Sequence, residues 1–112
     1  MQTLNSPEEE QARLLQAGNL VLNFATYGVT LNGVAIALTY QEFELLKLLV
    51  EQAGRIVSNE LLTKAFWDES GRKEVRRLSV LVCRLRAKTA GSWPFRIETV
   101  RGRGYGLLAR SN

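Results

Sequence analysis

The chain has 112 residues, 46% of them apolar, and a formal net charge of +4. That is enough for one small domain with one core, too apolar for disorder throughout, and without a run approaching the ~20 apolar residues that span a bilayer. With no histidine and a single cysteine, Cys83, histidine acid–base catalysis, histidine metal ligation and an internal disulfide framework are excluded. No P-loop is present and nothing pairs the carboxylates into a site, so neither enzymatic activity nor a cofactor or metal is expected. The start, MQTLNSPEEEQAR, lacks the basic and apolar regions of a signal peptide, and a reducing cytoplasm is the expected location.

The charge is unevenly distributed. Residues 1–53 hold two basic residues against six acids, a net −4, and residues 54–112 hold thirteen against five, a net +8. A basic half points either to a polyanionic partner or to a merely solvated basic face.

In chain order, residues 1–16 are polar and acidic and read as a flexible tail or interdomain linker, with a short helical turn at Glu8–Leu15. Residues 17–110 read as one domain. In NLVLNF, Leu20, Leu22 and Phe24 share a strand face. YGVTLNGVAIALT places alternating runs on either side of Asn32-Gly33, the pattern of a tight hairpin, with Tyr27, Val29 and Leu31 before the turn and Val34, Ile36 and Leu38 after it. At Thr39 the period changes. Thr39 and Glu42 have capping-box spacing, and Phe43, Leu46, Leu49 and Val50 recur at helical intervals up to Gly54. Arg55-Ile56-Val57 reads as a short link. Ser58 can cap a second helix, NELLTKAFW, burying Leu61, Leu62 and either Ala65 or Phe66. DESGRKE reads as a polar loop, followed by a third helix over about Glu74 to Lys88. Gly91 and Pro94 stop it. RIETVRGRGYGLLAR then reads as a hairpin with Arg101 and Arg103 at a glycine-rich tip. The expected fold is α+β: an N-terminal antiparallel sheet, a three-helix bundle and a C-terminal hairpin wing, the layout of a winged helix-turn-helix.

On a 100° wheel, Val75, Leu78, Val82 and Leu85 form the core stripe of the third helix, with Leu81 at its edge. The opposite face centres on Val80, surrounded by Arg76, Arg77, Cys83, Arg84 and Ala87, with Ser79 on the flank. Such a face suits a major groove. Arg77 and Arg84 can donate to guanine O6 and N7, Ser79 can bond a base or a phosphate, and Val80 and Ala87 can meet thymine methyls. Arg76, Arg86 and Lys88 are expected at phosphates. Two other readings stay open: a solvated basic face, and a protein contact through Val80, Cys83 and Ala87. Cys83 is either a small hydrophobe or a thiol whose pKa the arginines lower. Trp67 is either exposed, donating its indole N–H to a phosphate, or buried as a core anchor.

LTYQEFELLKLLVEQAGRIVSNELL (38–62), Trp67 and its spacing to Arg76, VLVCRLRAK and ETVRGRGYGL, taken together, resemble the OmpR/PhoB-type effector domain of bacterial response regulators. The resemblance covers about residues 17–110. It implies a four-stranded N-terminal sheet, sequence-specific binding of double-stranded DNA, control of transcription, and head-to-tail dimers on tandem repeats. In such proteins the domain follows a receiver domain, which this chain does not carry, so an excised effector domain and a free-standing member both stay open; the resemblance also implies a loop facing RNA polymerase, here Asp68, Glu69, Ser70, Gly71, Arg72 and Lys73. Carried over by position, it implies phosphate contacts at Trp67, Arg76, Arg86 and Tyr105, and groove contacts at Arg77, Ser79, Val80 and Arg84.

The chain departs from the family pattern in informative places. Many members have an acidic residue at Ser79, a polar or basic one at Leu81, and basic ones at Cys83 and Gly106. Arg77 and Arg103 add charge at positions often uncharged. More affinity from backbone and wing, and less direct base readout, is therefore expected. For Arg101 and Arg103 the alternatives are entry into a narrow minor groove and contact with flanking phosphate. The main functional rival is a protein-interaction module docking through the outer face of the third helix. RNA binding is disfavoured, because the A-form major groove excludes a helix and no aromatic stacking platform is evident.

Overall fold

The structure, a computed structural model, describes residues 14–90 and 93–110. Strands β1 (Leu14–Ala17), β2 (Leu20–Asn23), β3 (Gly28–Leu31) and β4 (Val34–Ile36) form an antiparallel sheet in that order. Asn32 and Gly33 have φ of 57° and 82°, the two left-handed residues that let a two-residue turn match strand twist. Leu20, Leu22, Val29 and Leu31 are buried on the inner face.

Helix α1 (Tyr40–Glu51) begins as its sequence dictates. Thr39 Oγ1 accepts from the Glu42 N–H at 3.2 Å, and Glu42 Oε1 accepts from the Thr39 N–H at 2.9 Å. Phe43, Leu46, Leu49 and Val50 are buried, joined by Leu45. The helix ends at Glu51, before Gly54, which at φ 89° turns its N–H onto the Leu107 carbonyl at 2.8 Å.

Strand β5 (Ile56–Ser58), helices α2 (Asn59–Trp67) and α3 (Arg72–Thr89), and strands β6 (Phe95–Val100) and β7 (Gly104–Ala109) complete the chain. The second sheet has the order β5-β7-β6. The core lies between the first sheet, the three helices and this second sheet. No helix among the described residues is long and apolar enough to cross a membrane.

Four expectations need correction. The chain enters the sheet at Leu14, inside the stretch read as a tail. Gly18 (φ 61°) folds β1 back on β2, and the Trp93 Nε1–H donates to the Ala17 carbonyl at 2.9 Å. The expected turn at Glu8–Leu15 therefore does not hold at Leu14 and Leu15, while residues 8–13 lie outside the described residues, as does Gly91. Residues 56–57 are not a link but part of β5, which exists only because β7 returns beside it. In α2, Leu61 is 54% exposed, and of the two alternatives Ala65 is exposed whereas Phe66 packs half-buried against the core. Thr63 is buried instead, with its hydroxyl donating to the Asn59 carbonyl at 2.7 Å. Finally, α3 starts at Arg72 because Glu74 reaches back to accept from the Gly71 N–H at 3.0 Å, closing the first turn. Arg72 and Lys73 are therefore helical, and the loop between α2 and α3 shrinks to Asp68–Gly71.

Candidate nucleic-acid interface

Helix α3 buries Leu78, Leu81, Val82 and Leu85 against the core and leaves Val75 half-buried. Leu81 is thus a full core residue rather than an edge one. Arg76, Arg77, Ser79, Val80, Cys83, Arg84 and Ala87 are all exposed, as the 3.6-residue period requires of the face opposite that stripe. Val80 is 48% exposed at its centre.

The basic side chains of α3 then divide by what holds their heads. Arg86 reaches β6: its Nε and Nη2 donate to the Ile97 carbonyl at 3.0 and 2.7 Å, and Nη2 donates to Thr99 Oγ1 at 2.6 Å. Lys88 Nζ lies 2.6 Å from Glu42 Oε1. Arg86 thereby staples α3 to the wing strand, and Lys88 ties the end of α3 to the start of α1, so the phosphate contacts expected of these two fall on side chains already engaged within the fold. Both bonds form because the distant segments carrying their acceptors fold back alongside α3. Replacing Arg86 with Met should cost about 1–2 kcal/mol in urea unfolding through the lost charged hydrogen bonds, and leave the salt dependence of any DNA affinity unchanged. A reduced salt slope would return Arg86 to the interface.

Glu42 is 2% exposed. Burial alone would push its carboxyl up. The hydrogen bonds from Lys88 and Thr39, together with the Lys88 charge, outweigh burial and hold it below the ordinary carboxylate value.

Trp67 closes α2 half-buried against Phe66, their rings 5.6 Å apart, and its Nε1 is shielded from solvent with no partner among the described residues. The Arg77 guanidinium lies 4.6 Å from the indole centroid. In this conformation Trp67 does not present an N–H to solvent, which favours the anchoring alternative over direct phosphate contact. Tyr105 is 8% exposed and belongs to the core cluster.

At the wing tip, Arg101, Gly102 and Arg103 are exposed. The Arg103 N–H donates to the Val100 carbonyl at 2.9 Å, and the Arg103 carbonyl accepts from the Asn59 N–H at 2.8 Å. The second bond fixes the tip to the start of α2, and the sequence carried no sign of it. Only Gly102 needs positive φ here, at 77°. Gly104 and Gly106 do not make the tip. A Cβ at Gly104 would fall on the Val57 carbonyl, and one at Gly106 on the Arg55 carbonyl. These two glycines admit the β5 backbone.

An open cleft of about 230 Å³ lies between the start of α1, the end of α2 and α3, lined by Gln41, Trp67, Arg77, Val80, Leu81 and Arg84. Sequence reasoning missed Gln41, whose place beside α3 depends on how α1 and α3 cross.

Comparison with known proteins agrees with this geometry. The family described as "Transcriptional regulatory protein, C terminal" matches residues 33–107. The response regulator protein PmrA of Pseudomonas aeruginosa is 40% identical over 90 residues, covering 80% of this chain and 39% of PmrA. The chain thus spans less than half the length of the curated relatives it matches. The DNA-binding domain of Klebsiella pneumoniae RstA, solved in complex with the RstA box, superposes with a TM-score of 0.75 at 30% identity, covering 86% of this chain and 97% of that one. The response regulator DrrB of Thermotoga maritima, an OmpR/PhoB homolog, gives 0.74 at 30% identity, covering 87% and 45%. With its sheet, helix-turn-helix and wing in the same order, the chain belongs to the family of transcriptional regulatory C-terminal domains, as an effector domain of the OmpR/PhoB type.

Proposed function

We propose that this domain binds double-stranded DNA sequence-specifically and regulates transcription, with α3 in the major groove and the wing tip at the minor groove. One observation carries the reading. Arg86 and Lys88 are paired within the fold, whereas Arg76, Arg84, Arg101 and Arg103 are exposed and have no side-chain partner among the described residues. A fold that leaves these cations free on the helix-turn-helix face and wing presents an electrostatic footprint for a polyanion. RstA, whose DNA-binding domain shares the fold, was solved on DNA.

In this arrangement Ser79, Val80 and Arg84 meet base edges, Arg76 holds a phosphate, and Arg101 and Arg103 flank or enter the minor groove. With little polar readout on α3, backbone and wing contacts supply a large share of the affinity. The domain acts in the bacterial cytoplasm, within a two-component regulator whose receiver domain controls it. Two copies sit head to tail on repeats, and Asp68–Gly71 with the adjoining Arg72 and Lys73 face RNA polymerase.

Selection from a random duplex library followed by salt titration tests the proposal. A repeated motif should be enriched, with half-sites about 10–11 bp apart, and affinity should fall steeply with salt. Arg103→Ala should weaken binding by about 1 kcal/mol or more. No binding at low salt would replace the DNA reading with a protein-interaction module. Unchanged affinity in Arg103→Ala would remove the wing from the interface.

A further inference from the structure

The cleft between α1, α2 and α3 has the composition of an anion site. Its lining residues include two arginines, Gln41 and Trp67 beside Val80 and Leu81, and no acidic residue. The nearest acidic residue on α1, Glu42, is buried and already paired with Lys88. Gln41 belongs to the first turn of α1, where backbone N–H groups lack intrahelical acceptors and the helix dipole favours negative charge.

Arg77 is the ordered cation of this cleft. Its guanidinium lies over the Trp67 ring at 4.6 Å. That contact uses none of its N–H groups in a hydrogen bond, and they stay available to an acceptor. It also reduces the rotamer freedom that a free surface arginine loses on binding. Arg86, by contrast, has directed its fork at β6. On the wheel Arg77 lies about 100° from the buried Leu78 and about 60° from Val80, on the flank of the outer face that meets Trp67 of α2. In a helix-turn-helix the helix before the recognition helix crosses the DNA backbone, so a side chain leaning onto Trp67 at the end of α2 leans toward phosphate.

We propose that this cleft is a backbone-phosphate site in which Arg77, held over the Trp67 ring and backed by the start of α1, holds one phosphate of the duplex. This rests on the DNA-binding reading above and moves Arg77 from base edges to backbone. Trp67 is then a positioning residue, acting through Arg77 rather than through its shielded N–H.

The test is a double-mutant cycle on the full chain, read by fluorescence anisotropy against the selected duplex and its single-base variants. Arg77→Ala should lower affinity about five- to tenfold, by a similar factor on every variant, and reduce the magnitude of the salt slope by about one. Trp67→Phe, which keeps an aromatic ring in the core, should lose part of that affinity with Arg77 present and change it by less than about twofold in the Arg77→Ala background. Folding of each variant is confirmed by its thermal transition. Equal losses from Trp67→Phe in both backgrounds would overturn the positioning role. Loss confined to one base position would overturn the phosphate assignment and make Arg77 a base reader. An Arg77→Ala variant with unchanged affinity and salt slope would overturn the site while leaving DNA binding intact. Failure of the unmodified chain to bind any duplex would instead overturn the DNA reading itself.

Discussion

Gly104→Ala is expected to destabilise the domain by about 3 kcal/mol, lowering Tm by roughly 15 °C, the largest loss from adding one carbon anywhere in the wing. The new Cβ would meet the Val57 carbonyl oxygen and lie 2.8 Å and 2.9 Å from the Val57 carbonyl carbon and Ser58 Cα. All three are backbone atoms, so no side chain can swing aside. Relief requires β5 and β7 to part, breaking the Ser58–Gly104 register. Strand β5 leads directly into α2, and the wing tip is bonded to Asn59, so the distortion reaches the helix-turn-helix itself. Gly102→Ala is the control. Its φ of 77° makes a side chain unfavourable, but nothing lies near the added carbon, and about 1 kcal/mol is expected. Thermal unfolding of both variants decides the matter. Equal Tm values would mean that β5 and β7 are not held as closely as the geometry requires.

Glu42→Ala is expected to cost about 2–3 kcal/mol, because one carboxylate accepts two bonds. It returns the capping bond to Thr39, and by accepting from Lys88 it joins α1 to the far end of α3. Lys88 keeps 36% of its side-chain surface exposed. Its ammonium is therefore rehydrated in the variant, which keeps the cost at the lower end for a broken buried pair. The pH dependence has a definite sign. The folded-state pKa of Glu42 lies below the ordinary carboxylate value of about 4.5, so its contribution is present above about pH 4.5 and disappears as pH falls through the folded value. Urea unfolding from pH 7 down to pH 3 should show the gap between Glu42→Gln and the unsubstituted chain narrowing below about pH 4.5. A gap independent of pH would mean that the Glu42 charge contributes nothing.

Local signals were legible where the chain interacts with its own near neighbours. Asn32-Gly33, the Thr39–Glu42 box and the Ser58 cap form from residues at most three apart, so spacing alone identifies them. The outer face of α3 was legible for the same reason: periodicity fixes which side chains point away from a core, and Arg76, Arg77, Ser79, Val80 and Arg84 are exposed together. Leu61 was misplaced because two faces of α2 are apolar, and only its packing against α3 and β5 selects Leu62 over Leu61.

By itself, then, the sequence determined the three helices and the hairpins before and after them, the winged helix-turn-helix layout, the absence of histidine chemistry and the basic face, but not β1 or β5. All of these follow from composition, from periods of 2 and 3.6 residues, and from caps and turns of short range. The tertiary structure alone decided what each cation does. Arg86 and Lys88 meet acceptors 11 and 46 residues away in sequence, and Arg77 meets an indole on the preceding helix. It also decided why Gly104 and Gly106 are glycines, since the obstructing carbonyls belong to Val57 in β5 and to Arg55 just before it, about fifty residues earlier in the chain. Hydrogen bonds and close packing act over a few ångströms, and sequence separation does not encode which distant groups come that close until the chain is folded.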